Sequence, residues 1–191
     1  MKRTLCIVNI CLLFVLPSYA KGGWTYFVDG NNIHALTIRG EHIYCATDGG
    51  LVVWNRLDRT YTQNQRTTLS MIDVDKKGIV YTSNGSELLM FDGNEWAPFP
   101  EEDIGISGNF NALYIDDDNA LWVTSLQGAA RYDGMAWKVY RNDETGISIS
   151  KLLGIDKNNL TWFLTETGIS SFDGSVWRSY TEDDGLPSKK I

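Results

Sequence analysis

The feature that most constrains this chain is a ten-residue phrase written three times: MFDGNEWAPF, RYDGMAWKVY and SFDGSVWRSY. Asp92-Gly93, Asp133-Gly134 and Asp173-Gly174 stand 41 and 40 residues apart, and Trp96, Trp137 and Trp177 keep the same intervals. Seventeen residues before each of these Asp residues is another: Asp75, Asp116 and Asp156. Three residues further on comes Gly78, Asn119 or Asn159, and three beyond that an aromatic, Tyr81, Trp122 or Trp162. A period of this length means supersecondary units, each too small to bury its own apolar face and each covered by the next.

Every unit reads as four short strands. In the third, NALYID alternates, ALWVTS is β-branched and aromatic, AARYD follows Gly128, and WKVYR closes the set. In the turn DDDNA the Asp side chains can hydrogen-bond their own backbone and Asn119 tolerates the left-handed conformation, as Gly78 does, while the Asp-Gly phrase is expected to supply the positive-φ residues of a tight hairpin with Tyr132 and Trp137 paired across its mouth. A more divergent unit precedes the three and aligns Tyr44 with Trp122, Gly50 with Gly128 and Trp54 with Tyr132. Earlier still, WTYF at 24 to 27 matches only the tail of a unit, a detached N-terminal strand. The chain is therefore expected to be all-β: four blades of a β-propeller, at about 33–63, 69–100, 110–141 and 150–181 within a domain of 21–191, in an incomplete or open ring.

IDDDNALWVTSLQGAARYDGMAWKVY and IDKNNLTWFLTETGISSFDGSVWRSYTEDDGLP resemble two-component regulator propeller repeats across nearly all of residues 24 to 191. In that family such repeats commonly form the periplasmic sensor of hybrid histidine kinases and detect glycan fragments; related propellers are secretion-linked or surface proteins. The resemblance implies an exported ligand-binding module of a sensory system. No transmembrane helix or kinase domain follows the four units, so transduction would need another polypeptide or a longer gene product, of which this chain would be a part.

Residues 1 to 20 carry the marks of a signal peptide: Lys2 and Arg3, an apolar run from Leu5 to Leu16, then Ser18-Tyr19-Ala20 before the cut. The expected location is periplasmic or extracellular, without a membrane span in the mature chain. Beyond residue 20 there are 15 basic and 24 acidic side chains, a formal charge of −9. That balance disfavours nucleic acid and anionic membranes and suits neutral or cationic ligands such as an oligosaccharide or a peptide. Only Cys45 lies in the mature chain, which excludes an internal disulfide.

No nucleophile motif, phosphate loop, metal cluster or cofactor signature is present, so the chain reads as non-enzymatic and cofactor-free. Asp73, Asp75 and Gly78 lack the Glu that completes a calcium loop. Adjacent Glu101, Glu102 and Asp103 are poorly placed to flank a glycosidic bond. Residues that serve the scaffold should recur in every unit (Asp92, Gly93, Trp96, Trp122, Asp133, Gly134, Trp137, Trp162, Asp173, Gly174, Trp177), whereas residues that serve a ligand should break the pattern. The irregular connections from fourth to first strand and from second to third strand open on one face. They nominate Asn32, Glu87, Asn109, Gln127, Arg141 and Glu166 as ligand-binding residues. Alternatives are an interaction scaffold without a sensing role and a polysaccharide hydrolase or lyase. The ring is expected to be completed by self-association or by another chain.

Overall fold

The protein is described from a computed structural model covering residues 32 to 188; the signal-peptide and WTYF readings lie outside the described residues. Four separate antiparallel sheets, each of four strands in sequence order, stand side by side. Blade 1 is β1 (Ile33–Arg39), β2 (His42–Thr47), β3 (Gly50–Asn55) and β4 (Tyr61–Gln65). Blade 2 is β5 (Met71–Val74), β6 (Val80–Ser83), β7 (Leu88–Phe91) and β8 (Trp96–Phe99). Blade 3 is β9 (Ala112–Ile115), β10 (Leu121–Ser125), β11 (Gly128–Tyr132) and β12 (Trp137–Arg141). Blade 4 is β13 (Ile149–Ile155), β14 (Thr161–Thr165), β15 (Gly168–Phe172) and β16 (Trp177–Tyr180). The fold is a β-propeller of blades.

The repeated phrase does what its chemistry requires. Asp92, Asp133 and Asp173 each accept two backbone N–H groups of their own hairpin through Oδ1, at 2.8–2.9 Å. The expectation that Asp and Gly both supply positive φ is corrected: it falls on the glycine alone (101°, 98° and 97° at Gly93, Gly134 and Gly174), and the Asp contributes as a side-chain acceptor instead. In blade 1, Asn55 Oδ1 takes the same role by accepting the Leu57 N–H at 2.9 Å. Across each hairpin the paired aromatics meet: Phe91 with Trp96 at 4.7 Å between ring centroids, Tyr132 with Trp137 at 5.0 Å, and Phe172 with Trp177 at 4.5 Å.

Three apolar interfaces lie between neighbouring blades. Leu51 and Ala46 of blade 1 meet Ile72, Val80, Leu89 and Phe91 of blade 2; Tyr81 and Leu88 of blade 2 meet Leu113, Leu121 and Val123 of blade 3; Trp122 and Tyr140 of blade 3 meet Phe163 and Phe172 of blade 4. Burying each of these large side chains stabilises by about 1.5–3 kcal/mol. No such cluster joins blade 1 to blade 4 among the described residues. Asp73 fastens the innermost strands, accepting the Thr37 hydroxyl of blade 1 at 2.9 Å and the Ile115 N–H of blade 3 at 2.8 Å.

Short helical turns punctuate the all-β pattern at one recurring place. After the last strand of blades 2, 3 and 4 the chain makes a single helical turn: α1 (Glu101–Ile104), α2 (Asn142–Thr145) and a 3-10 turn at Glu182–Asp184. Each ends on a glycine at positive φ: Gly105, Gly146 and Gly185. The segments 100–109 and 141–148, read as irregular, are thus in large part scaffold. The sequence signal was available as the acidic residues and Gly-Ile or Gly-Leu that follow each final strand.

Candidate functional site

The connections leaving the fourth and second strands of the blades gather at one end of the molecule. Their charged side chains are mostly carboxylates: Asp48, Glu87, Glu101, Glu102, Asp103, Asp143, Glu144, Glu166, Glu182, Asp183 and Asp184, against Arg66 and, at the end of β12, Arg141. This end carries a negative field.

Between blades 2 and 3 it opens into a cleft lined by Glu101, Glu102, Gly105, Ile106, Ser107, Gln127 and Arg141. Gln127 holds the irregular segment that follows α1 with two bonds to one residue: its Oε1 accepts the Ser107 N–H at 3.0 Å and its Nε2 donates to Ser107 Oγ at 3.0 Å. Arg141 donates through Nη2 to the carbonyl of Gly105, and its Nε lies 3.8 Å from Glu144 Oε1. Gly128 is required beside them, because a Cβ there would lie 2.2 Å from the Tyr140 carbonyl oxygen. The cleft thus presents an arginine, an amide and two carboxylates on a frame set by hydrogen bonds to backbone.

Of the six nominated residues, Gln127 and Arg141 line this cleft together; the other four stand elsewhere on the same end. Asn32 donates to Asp48 Oδ2 at 2.9 Å, and His34 Nε2 lies 2.6 Å from Asp48 Oδ1, so hydrogen bonds from His34 and then Asn32 hold the Asp48 carboxyl below its ordinary range. Glu87 accepts from Asn84 Nδ2 at 3.2 Å. Asn109 is exposed just before buried Phe110, and Glu166 is exposed in the turn between β14 and β15. Sequence reasoning missed the His34–Asp48 pair. The two residues meet because Ile33 and Thr47 are paired across β1 and β2, a register that only the fold displays.

No protein-family model and no curated protein sequence match the chain. Solved structures do. The chain is similar to the extracellular domain of BT3049, described as a hybrid two component system from B. thetaiotaomicron, with 17% identity and a TM-score of 0.66 over 82% of this chain and 24% of that one. It is also similar to virginiamycin B lyase from Staphylococcus aureus, with 13% identity and a TM-score of 0.61 over 82% of this chain and 56% of the lyase. A third similar structure is YCF48 from Cyanidioschyzon merolae, with 15% identity and a TM-score of 0.54 over 81% of this chain and 57% of that one. The chain spans about a quarter of the first of these and little more than half of the other two. These likenesses establish the propeller fold.

On the opposite end, a second polar cleft between blades 3 and 4 holds Asp116, Asp118, Arg131, Lys138 and Asn159. Arg131 is matched there, 2.8 Å from Asp116 and 3.4 Å from Asp118. Its charge is balanced within the scaffold. Among the described residues no group of three or more His, Cys, Asp and Glu side chains is arranged to hold a metal ion, and no helix is long and apolar enough to cross a membrane.

Proposed function

We propose that this chain is an exported, non-catalytic propeller module that binds a polar ligand, neutral or cationic, at the acidic end, with the cleft between blades 2 and 3 as the binding site. The observation that carries this reading is the division of labour among residues. The recurrent Asp, Gly and Trp positions are engaged in hairpins and blade packing, whereas Gln127 and Arg141 depart from the repeat and line one cleft with Glu101 and Glu102.

The ligand class follows from the groups present. Fixed amide and guanidinium donors beside two carboxylates suit the hydroxyls of a glycan fragment or the backbone and basic side chains of a peptide. The surrounding carboxylates would repel polyanions. The likeness to the extracellular domains of hybrid two component systems supports a sensory setting in the periplasm or outside the cell. Glu101 and Glu102 are neighbours on one helical turn, and such a pair is ill suited to flank a scissile bond from both sides, which supports binding without turnover.

Calorimetric titration with neutral and basic oligosaccharides and with short lysine-containing peptides tests the proposal. Binding should weaken at least ten-fold in Gln127→Ala and Arg141→Ala and leave the ligand chemically unchanged. Binding unaltered by both substitutions, or accumulation of cleavage products, would overturn it.

A further inference from the structure

Two sheet faces are uncovered among the described residues, and they are counterparts of faces buried inside the molecule. On blade 1, the face away from blade 2 carries Leu36, Ile43, Cys45, Val52, Trp54 and Tyr61, which line an apolar recess. Strand register equates these positions with the faces on which blades 2, 3 and 4 receive the preceding blade. The row Ile43, Trp54, Tyr61 matches Val80, Phe91, Trp96; Leu121, Tyr132, Trp137; and Thr161, Phe172, Trp177. Three times the row is covered by a neighbouring blade; in blade 1 it is open, with Trp54 37% and Tyr61 68% exposed.

The face of blade 4 directed away from blade 3 is the matching knob. Trp162 and Tyr180 stack there at 5.6 Å and 29°. They reproduce the Trp122–Tyr140 stack of blade 3, at 5.5 Å and 17°. That buried stack shows what such a pair packs against: Tyr140 lies 5.0 Å from Phe172 and 5.9 Å from Trp177, and Trp122 lies 5.8 Å from Phe163. The equivalents of Phe172, Trp177 and Phe163 in blade 1 are Trp54, Tyr61 and Cys45.

We infer that the open face of blade 1 is a docking surface for a second copy of this chain, which seats its Trp162–Tyr180 stack on Trp54 and Tyr61. The contact continues the blade-to-blade interface already made three times within one chain. It joins two different surfaces, so it is head-to-tail, and such contacts either close into a ring or grow without limit. The described residues of two copies supply eight blades, within the four to eight that close a propeller, and in that ring the two apolar faces are covered by identical contacts.

Light scattering of the size-fractionated chain should give twice the single-chain mass. Leu36→Glu with Tyr61→Glu alters only blade 1, and Ile169→Glu with Tyr180→Glu alters only blade 4. Each variant alone should give the single-chain mass. An equimolar mixture should recover the double mass, because one of its two interfaces pairs two unaltered faces, and it should dissociate at least ten-fold more readily than the unaltered dimer. That recovery also shows that both variants fold. Hydrogen exchange of the unaltered protein should slow with rising concentration in β3 and β4 together with β14 to β16. Single-chain mass at every concentration, a blade-4 variant that dimerises by itself, open-ended polymers, or slowing confined to one of the two strand groups would each overturn the inference, as would docking of some other protein in place of the second copy.

Discussion

The indole Nε1–H of Trp122 donates to Asp116 Oδ2 at 3.0 Å, six residues back across a turn, and the next blade repeats the bond from Trp162 to Asp156 at 3.3 Å. Asp116 is only 3% exposed along its side chain and also accepts the Ala120 N–H at 2.8 Å and Arg131 Nε at 2.9 Å. Removing it strands two N–H donors and leaves Arg131 with only the exposed Asp118, 3.4 Å away. Asp116→Ala should therefore cost about 3–5 kcal/mol, as for breaking a buried pair. Asp156→Ala, at a more open turn with no paired arginine, should cost about 1 kcal/mol. Urea denaturation of the two variants checks the order; equal losses would refute it.

Gly128 and Gly168 sit where β11 and β15 pass over the ends of β12 and β16. A Cβ at either would fall 2.2 Å from a backbone carbonyl, that of Tyr140 or Tyr180. At Gly93 a Cβ would meet nothing within 4 Å, and only the positive φ of 101° opposes substitution. Gly93→Ala should cost about 1–2 kcal/mol from the left-handed backbone alone. Gly128→Ala adds a clash that must move a strand and should cost about 3 kcal/mol or more. The difference in thermal midpoint between the two variants is the measurement.

The blades were legible because period and turn chemistry are local: Asp-Gly and the Trp four residues after the Asp prescribe a hairpin whichever neighbour covers it. Trp122 and Trp162 mark the limit of that reading. They hold equivalent positions and make equivalent bonds, yet Trp122 is buried against blade 4 while Trp162 faces away from every other described blade. Interface or surface is decided by what stands beside a sheet, and a repeat does not encode that. The candidate cleft was legible only in part. Gln127 and Arg141 were nominated because they break the pattern, but their meeting with Ser107 and Gly105 depends on the α1 turn, whose helical character is written in four residues and the glycine after them.

Tyr81 of β6 is buried between blades 2 and 3 beside Tyr132, and desolvation followed by the nearby Asp75 charge raises its phenol from 10.0 to about 12. A raised acid favours the neutral form in the fold, so the unfolded chain loses this proton first. Stability should then be intact below pH 10 and fall between pH 10 and about 12. Tyr81→Phe should flatten that fall, and absorbance at the phenolate band should show one tyrosine ionising late. An alkaline profile unchanged by the substitution would exclude Tyr81 as its cause.

At the acid end the hairpins dominate. Backbone N–H groups within each turn, chiefly those of Glu95, Ala136 and Val176, donate to the carboxyls of Asp92, Asp133 and Asp173 and hold them below the ordinary 3.8. A depressed carboxyl favours the charged form in the fold, so its contribution is complete above the unfolded value and disappears as pH falls through the lower folded values. The unfolded chain takes up these protons first, and stability should decline below pH 4. Asn in place of all three keeps the Oδ1 acceptor but cannot titrate. The triple variant should be less stable than the parent at pH 7, since a neutral acceptor is the weaker one, and should lose less of what remains between pH 5 and pH 2. Asp156, Asp48 and Asp58 are depressed in the same direction, so the decline should shrink without vanishing. Denaturation midpoints of both proteins across that range decide the matter: parallel curves would mean that the repeated Asp-Gly turn draws nothing from its charge, and that its recurrence is owed to geometry alone.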